Sequence, residues 1–498
     1  MFRFQIGCIE GPWINFVPPI QGGKFRPYTG SDNENEEDNG SKSDEATSNI
    51  SREISRSPSP TFEAPSGIRR RKSTASSTAS TNTTISSGDE KQQQQQNDDK
   101  NQKSQTFLLD ARTQQEIDVA RANYPSLDLE NQEFIRMKYR ELDQRIEAEG
   151  LYQCHYFSYF IEACRCSFFA SLAYLFLRLE WYITSSFFLG CFWHQLVFCA
   201  HDAGHIAITH RYHVDSVIGM TIADYLGGLS LGWWKRNHNV HHIVTNAPEH
   251  DPDIEHMPIF AISHRLLGSL RSTYYDRVME FDKVAKVMLK FQNYLYYPIL
   301  LFGRFNLYRL SFEYLLGNQA PKKGPAWWHR WYELAGQVFF WYWFGYVLLY
   351  RSVPDWSSRI MYLLVSHMVT SPLHVQITLS HFAMSTADLG VAESFPQKTL
   401  RTTMDVDCPR WLDFFHGGLQ FQAIHHLFPR LPRHNLRATQ RLVKEFSRET
   451  GIPYVLFTFV DGNKVVISRL GDVANQVRLL EQCRKAYAQQ EIVSPSGH

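Results

Sequence analysis

Seven histidines and one glutamine stand in three tight groups spread over more than two hundred residues. The groups are His201-Asp202-Ala203-Gly204-His205, His238-Asn239-Val240-His241-His242 and Gln422-Ala423-Ile424-His425-His426. A neutral imidazole is a nitrogen ligand for iron, zinc or copper. Side chains three and four apart share a helix face. His201 and His205 therefore form one set of rings, and His238, His241 and His242 another. The third group repeats the spacing of the second, with Gln422 in the leading place. A lone pair of helical histidines is more often structural than ligating. The recurrence of the triplet after a long gap is what points to a metal site.

His381 lies at the end of a later apolar run and counts as a further ligand, because an ionisable residue at that depth faces a cavity. Eight imidazoles exceed what one ion takes, so two ions are expected. Iron suits this carboxylate-poor set, although zinc and copper also accept imidazole. Zinc has no redox chemistry, and a zinc version would be a hydrolase with a visible base or nucleophile. Asp202, the only acid inside the groups, reads instead as support that accepts a proton from a ligand imidazole. Gln422 could reach a metal only weakly through its carbonyl oxygen, or hold a ligand water. His250 reads as outer support or as structural. Trp233 and Trp234 read equally as a substrate-channel wall and as interfacial anchors. His194 reads as buried and hydrogen-bonded, and His374, two turns earlier and deeper than His381, as a weaker candidate ligand.

The elements that must position these residues read as an all-α integral membrane protein. Four apolar runs, Tyr156–Leu177, Trp181–Ala200, Leu334–Tyr350 and Ile360–Ala383, come near the ~20 residues that cross a bilayer. Val214–Leu231 and Tyr294–Leu315 carry Asp224, Arg304, Arg309 and Glu313 and read as interfacial or half-buried helices. With the N-terminus in the cytosol, four spans place all three histidine groups in a cytosolic helical cap. Lys and Arg are frequent in 201–330 and after 400, as that orientation expects.

Residues 126–149 read as an amphipathic docking helix, with Ser126 as N-cap, Phe134, Ile135, Tyr139, Leu142 and Ile146 on the helical period, and Gly150 as the stop. Residues 28–105 are dominated by polar side chains and include Gln92 to Gln96. Such a stretch cannot bury enough apolar area to order itself, so it reads as a disordered linker. The Arg69-Arg70-Arg71-Lys72 cluster inside it reads as solvated or as an anionic-lipid patch. Net charge is +1, which gives no case for nucleic acid. The eight cysteines contain no CxxC pair, so neither a disulfide framework nor a thiolate zinc site is indicated.

The three groups, with Trp234-Lys235, Thr245-Asn246, His250-Asp251-Pro252-Asp253-Ile254 and Leu427-Phe428-Pro429-Arg430, resemble the histidine boxes of membrane front-end fatty-acyl and sphingolipid desaturases. The stretch Phe415-His416-Gly417-Gly418-Leu419-Gln420-Phe421 is most similar to fungal delta-8 sphingolipid desaturases. The resemblance spans about residues 105–490. It implies a di-iron centre on the box histidines that uses dioxygen and two electrons. The implied substrate is the long-chain base of ceramide, made into a trans-8 alkene in the endoplasmic reticulum membrane. The implied electron donors are cytochrome b5 and its reductase.

Two departures stand out. No His-Pro-Gly-Gly haem motif is present, so residues 1–27 read as a remnant following a cytochrome b5-like domain and haem is not expected. Ile424 also stands where the third box commonly has an acid. A front-end fatty-acyl desaturase or a lipid hydroxylase on the same scaffold is an alternative. A catalytically silent metal-binding membrane protein is another of a different class.

Overall fold

A computed structural model describes residues 107–317 and 319–493. The expectations for residues 1–27, for the linker and for its basic cluster lie outside these residues. The described chain is helical apart from two short strand pairs: β1 (Arg271–Ser272) with β2 (Arg277–Val278), antiparallel, and β3 (Asp405–Asp407) with β4 (Leu456–Thr458), parallel.

Helix α1 covers 107–123, and α2 is Leu129–Ala148. The expected N-cap moves from Ser126 to Asp128, whose carboxylate accepts from the Asn131 amide at 2.9 Å while Ser126 accepts from Asp128. A carboxylate is the stronger acceptor and suits the positive end of a helix. Ile135, Tyr139, Leu142 and Ile146 face inward as the periodicity requires, but Phe134 faces out. Gly150 takes the left-handed conformation that ends the run (φ +69). The inward face packs on Ile424, Leu427 and Phe428.

Among the described residues, three helical segments are long and apolar enough to cross a membrane. They are α3 (Tyr156–Arg178), α4 (Tyr182–Gly204), and α11 (Trp356–Met368) joined to α12 (Ser371–Phe382). Only Cys166 and Ala173 of α3 are buried, so α3 turns nearly its whole surface outward. α4 is buried along most of its length and forms the centre of the bundle. Between them the chain reverses at Glu180, in the left-handed region at φ +61.

After α4 come α5 (Tyr212–Met220), with a π-helical continuation Thr221–Leu226, and α6 (Leu231–Val244). The Trp193 indole of α4 donates to the Leu226 carbonyl at 3.0 Å, so this pair re-enters the helical bundle. The segment read as Tyr294–Leu315 is two helices, α8 (Gln292–Leu300) and α9 (Gly303–Leu316), following α7 (Lys283–Lys290). α10 (His329–Phe340) continues as a π-helix over Trp341–Ser352. The expected run 334–350 is therefore helical, although it is not one of the three membrane-length helices. The C-terminal part holds α13 (Phe395–Thr402), α14 (Asp413–His416), α15 (Gln422–Leu427), α16 (Arg433–Thr450) and α17 (Phe459–Val493).

Arg401 on α13 and Glu393 form an ion pair at 2.7 Å, each side chain at most 2% exposed. Arg401 also donates to Ser385 at 3.0 Å. Removing one partner strands a buried charge. Arg401→Met is expected to cost about 3–5 kcal/mol, read as a lower melting temperature of the detergent-solubilised chain. Arg401→Met with Glu393→Gln should recover part of the loss. An unchanged melting temperature in the single variant would remove this pair from the framework.

Candidate metal centre

α4 ends in His201 on its last turn and His205 at its C-cap. Gly204 lets this end meet α6, because a Cβ there would lie 2.2 Å from the Trp234 ring. α6 starts at Ser230, whose hydroxyl accepts from the Trp233 amide at 3.0 Å. Two buried carboxylates complete that start. Glu333 accepts from the Ser230 hydroxyl and the Gly232 amide at 2.5 and 3.0 Å. Asp224 accepts from the Leu231 amide at 3.4 Å and from Gln337 at 3.0 Å. Carboxyl oxygens at a helix N-terminus satisfy its orphan amides. Two turns on, the same helix presents His238, His241 and His242.

The third group sits on α15, which is only six residues long and depends on its neighbours. Asp405 accepts from the Ala423 amide at 2.7 Å and from the Tyr454 hydroxyl. Burial pushes the Asp405 carboxyl up to about 7. At the other end, Tyr139 of α2 donates to the Leu427 carbonyl at 2.6 Å. The docking helix thus grips the third box directly.

All eight histidines singled out from the sequence meet. The ring nitrogens of His201, His205, His238 and His425 lie within 4.8 Å of one another, and so do those of His241, His381 and His426. His242 links the groups: its Nε2 is 3.1 Å from that of His238, and its ring stacks on His426 at 4.0 Å. Gln422 is buried beside the His381 side chain.

The outer contacts set which nitrogen faces inward. His241 Nδ1 donates to Asp251 at 2.9 Å, and His238 Nδ1 to Asp253 at 3.5 Å. Thr245 gives its hydroxyl proton to the His241 carbonyl at 2.6 Å, so its oxygen accepts from His426 Nδ1 at 3.2 Å. With Nδ1 protonated in each ring, the Nε2 lone pair is free for an ion.

Buried nitrogens of His205, His381, His425 and His426 have no hydrogen-bond partner. Burial pushes His238 down to about 4 and holds His242, His425 and His426 well below the usual range, which keeps them neutral. Burial also disfavours charge on His241, but Asp251 and Asp253 outweigh it and leave that ring raised. Buried imidazoles in two groups, most of them held neutral and four with an unpartnered buried nitrogen, fit a pair of metal ions.

The other predicted residues divide. Asp202 is buried, accepts from the Tyr159 hydroxyl at 2.5 Å and lies 3.7 Å from His201 Nδ1 and from Arg433. Trp234 stacks on His238 at 4.6 Å and abuts His201 and His205, so it walls the cluster. Trp233 points elsewhere and packs with Tyr314 and Leu315. His250 is exposed and pairs with Thr273 at 2.7 Å. The turn that carries it sends its neighbour Asp251 inward instead.

Asp251, Asp253, Thr245 and Asn246 are the supports that residue-by-residue reading missed. Asn246, at φ +58, donates to the carbonyls of His381 and Thr402 at 2.7 and 3.2 Å and ties α12 to the end of α6. The available signal was two acids flanking a proline just after a histidine helix, where the chain must turn back.

Two imidazole groups, gathered where two membrane-length segments end and completed from the shorter α6 and α15, define a histidine-box membrane oxidoreductase. The chain belongs to the fatty acid desaturase family, whose model, described as Fatty acid desaturase, matches residues 180–458. It is similar to a protein of Emericella nidulans named Delta 8-(E)-sphingolipid desaturase, 65% identical over 99% of this chain and 86% of that relative. A Kluyveromyces lactis protein of the same name is 48% identical over 97% of this chain and 83% of its own length. A Helianthus annuus protein named Delta(8)-fatty-acid desaturase is 37% identical over 60% of this chain and 63% of its own.

Proposed function

We propose that this chain is a delta-8 sphingolipid desaturase that introduces a trans double bond at carbon 8 of the long-chain base of ceramide. The observation that carries this reading is the 65% identity, over almost the whole chain, to a relative of that name. The sunflower fatty-acid desaturase is matched at lower identity and over less of the chain, which favours the sphingolipid substrate over an acyl chain.

His201, His205, His238, His241, His242, His381, His425 and His426 would hold two irons. When bound, the irons supply the redox chemistry that takes two hydrogens from a saturated carbon pair, using dioxygen and two electrons. The chain's own residues do the rest. Asp251, Asp253 and Thr245 hold three ligand rings in one tautomer. Trp234 closes one side. Gln422 occupies a position beside His381 from which its amide can steady that ring or a water. Electrons would come from cytochrome b5 and its reductase.

The convergence also supports a fourth span. α4 and α12 both end at the cluster, so α4 and α11–α12 cross in the same direction. The chain must cross back once between residues 205 and 356. The continuous helical run 329–352 would reach at most about 36 Å, the length at the α-helical rise of 1.5 Å per residue, since its π-helical half rises less, and it exposes Val338, Phe339, Tyr342, Tyr346 and Tyr350. Four spans then leave the histidines on the cytosolic face of the endoplasmic reticulum membrane, with residues 106–150 docked on the 151–490 body.

Expression in a host whose ceramides are saturated at carbon 8, followed by mass spectrometry with double-bond placement, tests the assignment. A trans-8 base is expected. Unsaturation confined to acyl chains, or an added hydroxyl, would replace this reading with the acyl-desaturase or hydroxylase one.

A further inference from the structure

Below the ligand rings lies a second layer of imidazoles with a repeated offset. His194 precedes His201 by seven residues on α4, and His374 precedes His381 by seven on α12. Seven residues are nearly two full turns, so each pair shares a helix face. The layer therefore looks into the same interior as the ligands, about 10 Å further along both helices.

His194 is 5% exposed and His374 8%. The Nε2 atom of each is buried without a hydrogen-bond partner, and the two rings are close enough to influence each other electrostatically.

The contacts of His194 settle its proton. Gln195 accepts from Arg165 at its oxygen, 3.1 Å, and donates from its nitrogen to the Phe414 carbonyl, 3.0 Å. That nitrogen also faces His194 Nδ1 at 3.1 Å. Nδ1 is thus the acceptor and Nε2 carries the hydrogen, a buried donor without an acceptor. The ring is fixed by stacking on Phe415 at 5.1 Å. Apolar side chains, Phe198, Leu373 and Leu419, cluster alongside. A buried polar atom left unpaired is costly, so the His194 donor and the unpartnered His374 Nε2, with apolar side chains alongside, suit a ligand that brings oxygen and methylenes together.

The long-chain base has that chemistry, with its amide at carbon 2, a hydroxyl at carbon 3 and methylenes from there to carbon 8. Six bonds in an extended chain cover about 7 Å. One hydrogen bond of about 3 Å brings the total to the spacing between the two imidazole layers. We propose that His194 and His374 form a subsite for the polar end of the long-chain base, and that it sets which carbon pair lies under the ligand histidines. This rests on the ceramide reading above.

The test measures rate, double-bond position and iron content of the full chain in membranes. His194→Phe and His374→Phe should keep their iron, lose about tenfold in ceramide desaturation and scatter the double bond onto carbons neighbouring carbon 8. His194→Gln, which can place an amide nitrogen near the lost Nε2, should recover part of the rate and the single position. A role in packing alone would lower rate and iron together without moving the double bond.

Ceramides lacking the 3-hydroxyl or the amide carbonyl give a second readout that needs no folded variant. At least one should react about tenfold more slowly than ceramide with the unaltered chain and show no such penalty in His194→Phe. The subsite is refuted if both phenylalanine variants keep one position at full rate, or if both analogues react as well as ceramide. An unaltered chain that makes no carbon-8 alkene in ceramide bases would instead overturn the functional reading.

Discussion

Replacing His241 by alanine is expected to lower turnover by at least a thousandfold and to remove about half of the bound iron. His241 is 2% exposed, and its Nε2 lies 3.3 Å from that of His381. It is one of three imidazoles in its group, with His381 and His426. Alanine leaves two ligands, a cavity the size of a ring and the Asp251 carboxylate buried without its donor. Loss of a ligand acts on affinity directly, whereas the other group keeps its own four rings. Metal analysis of the purified chain beside product formation in membranes checks both parts. Full iron with full turnover would show that the eight imidazoles are not the metal site.

The second large effect concerns a residue that touches no metal. Asp251→Asn keeps shape and size and changes only what the group can accept. Asp251 is fully buried; its two oxygens face His241 Nδ1 at 2.9 and 3.0 Å and also accept from the Asn246 and Asp253 amides at 2.8 and 2.9 Å. An amide offers one oxygen and presents N–H groups where the second stood. It would either abandon a backbone amide or oppose the His241 proton and favour the wrong tautomer. Changes of this kind at outer partners cost 10- to 100-fold in affinity or activity.

Asp253→Asn should cost less, since Asp253 meets His238 at 3.5 Å and is 32% exposed. Iron affinity measured by competition with a chelator ranks the two. Equal effects, or a larger one at Asp253, would reverse the assignment of Asp251 as the principal support.

The buried face of α2 was legible because a 3.6-residue period leaves little freedom about which side is apolar. The same logic found the boxes, since i, i+3, i+4 spacing is local geometry. Local reading failed where an alternative lay one or two residues away. Ser126 and Asp128 are both good caps, and His250 and Asp251 both look like plausible supports. In the first pair the stronger acceptor, the Asp128 carboxylate, took the cap; in the second the choice fell to which side chain the turn aimed inward, and that turn is set by contacts with Asn246 and the end of α12. The π-helical run 341–352 has no sequence cue that we can name, whereas the break between α11 and α12 has one in Pro372 at the first turn of α12.

Which histidines converge, and that long apolar helices carry three of them, His201, His205 and His381, was written in residue type and spacing alone. Helix periodicity and hydrophobic length are properties of a segment and need no neighbours. How the rings divide into two groups, which acids hold them, and that His194 and His374 are both buried with an unpartnered Nε2 were decided only in the folded chain. The ring groups depend on residues such as His241 and His381, 140 positions apart, coming within a few ångströms, and the acids on a turn ten to fifteen residues on that folds back over the helix; helix periodicity carries neither.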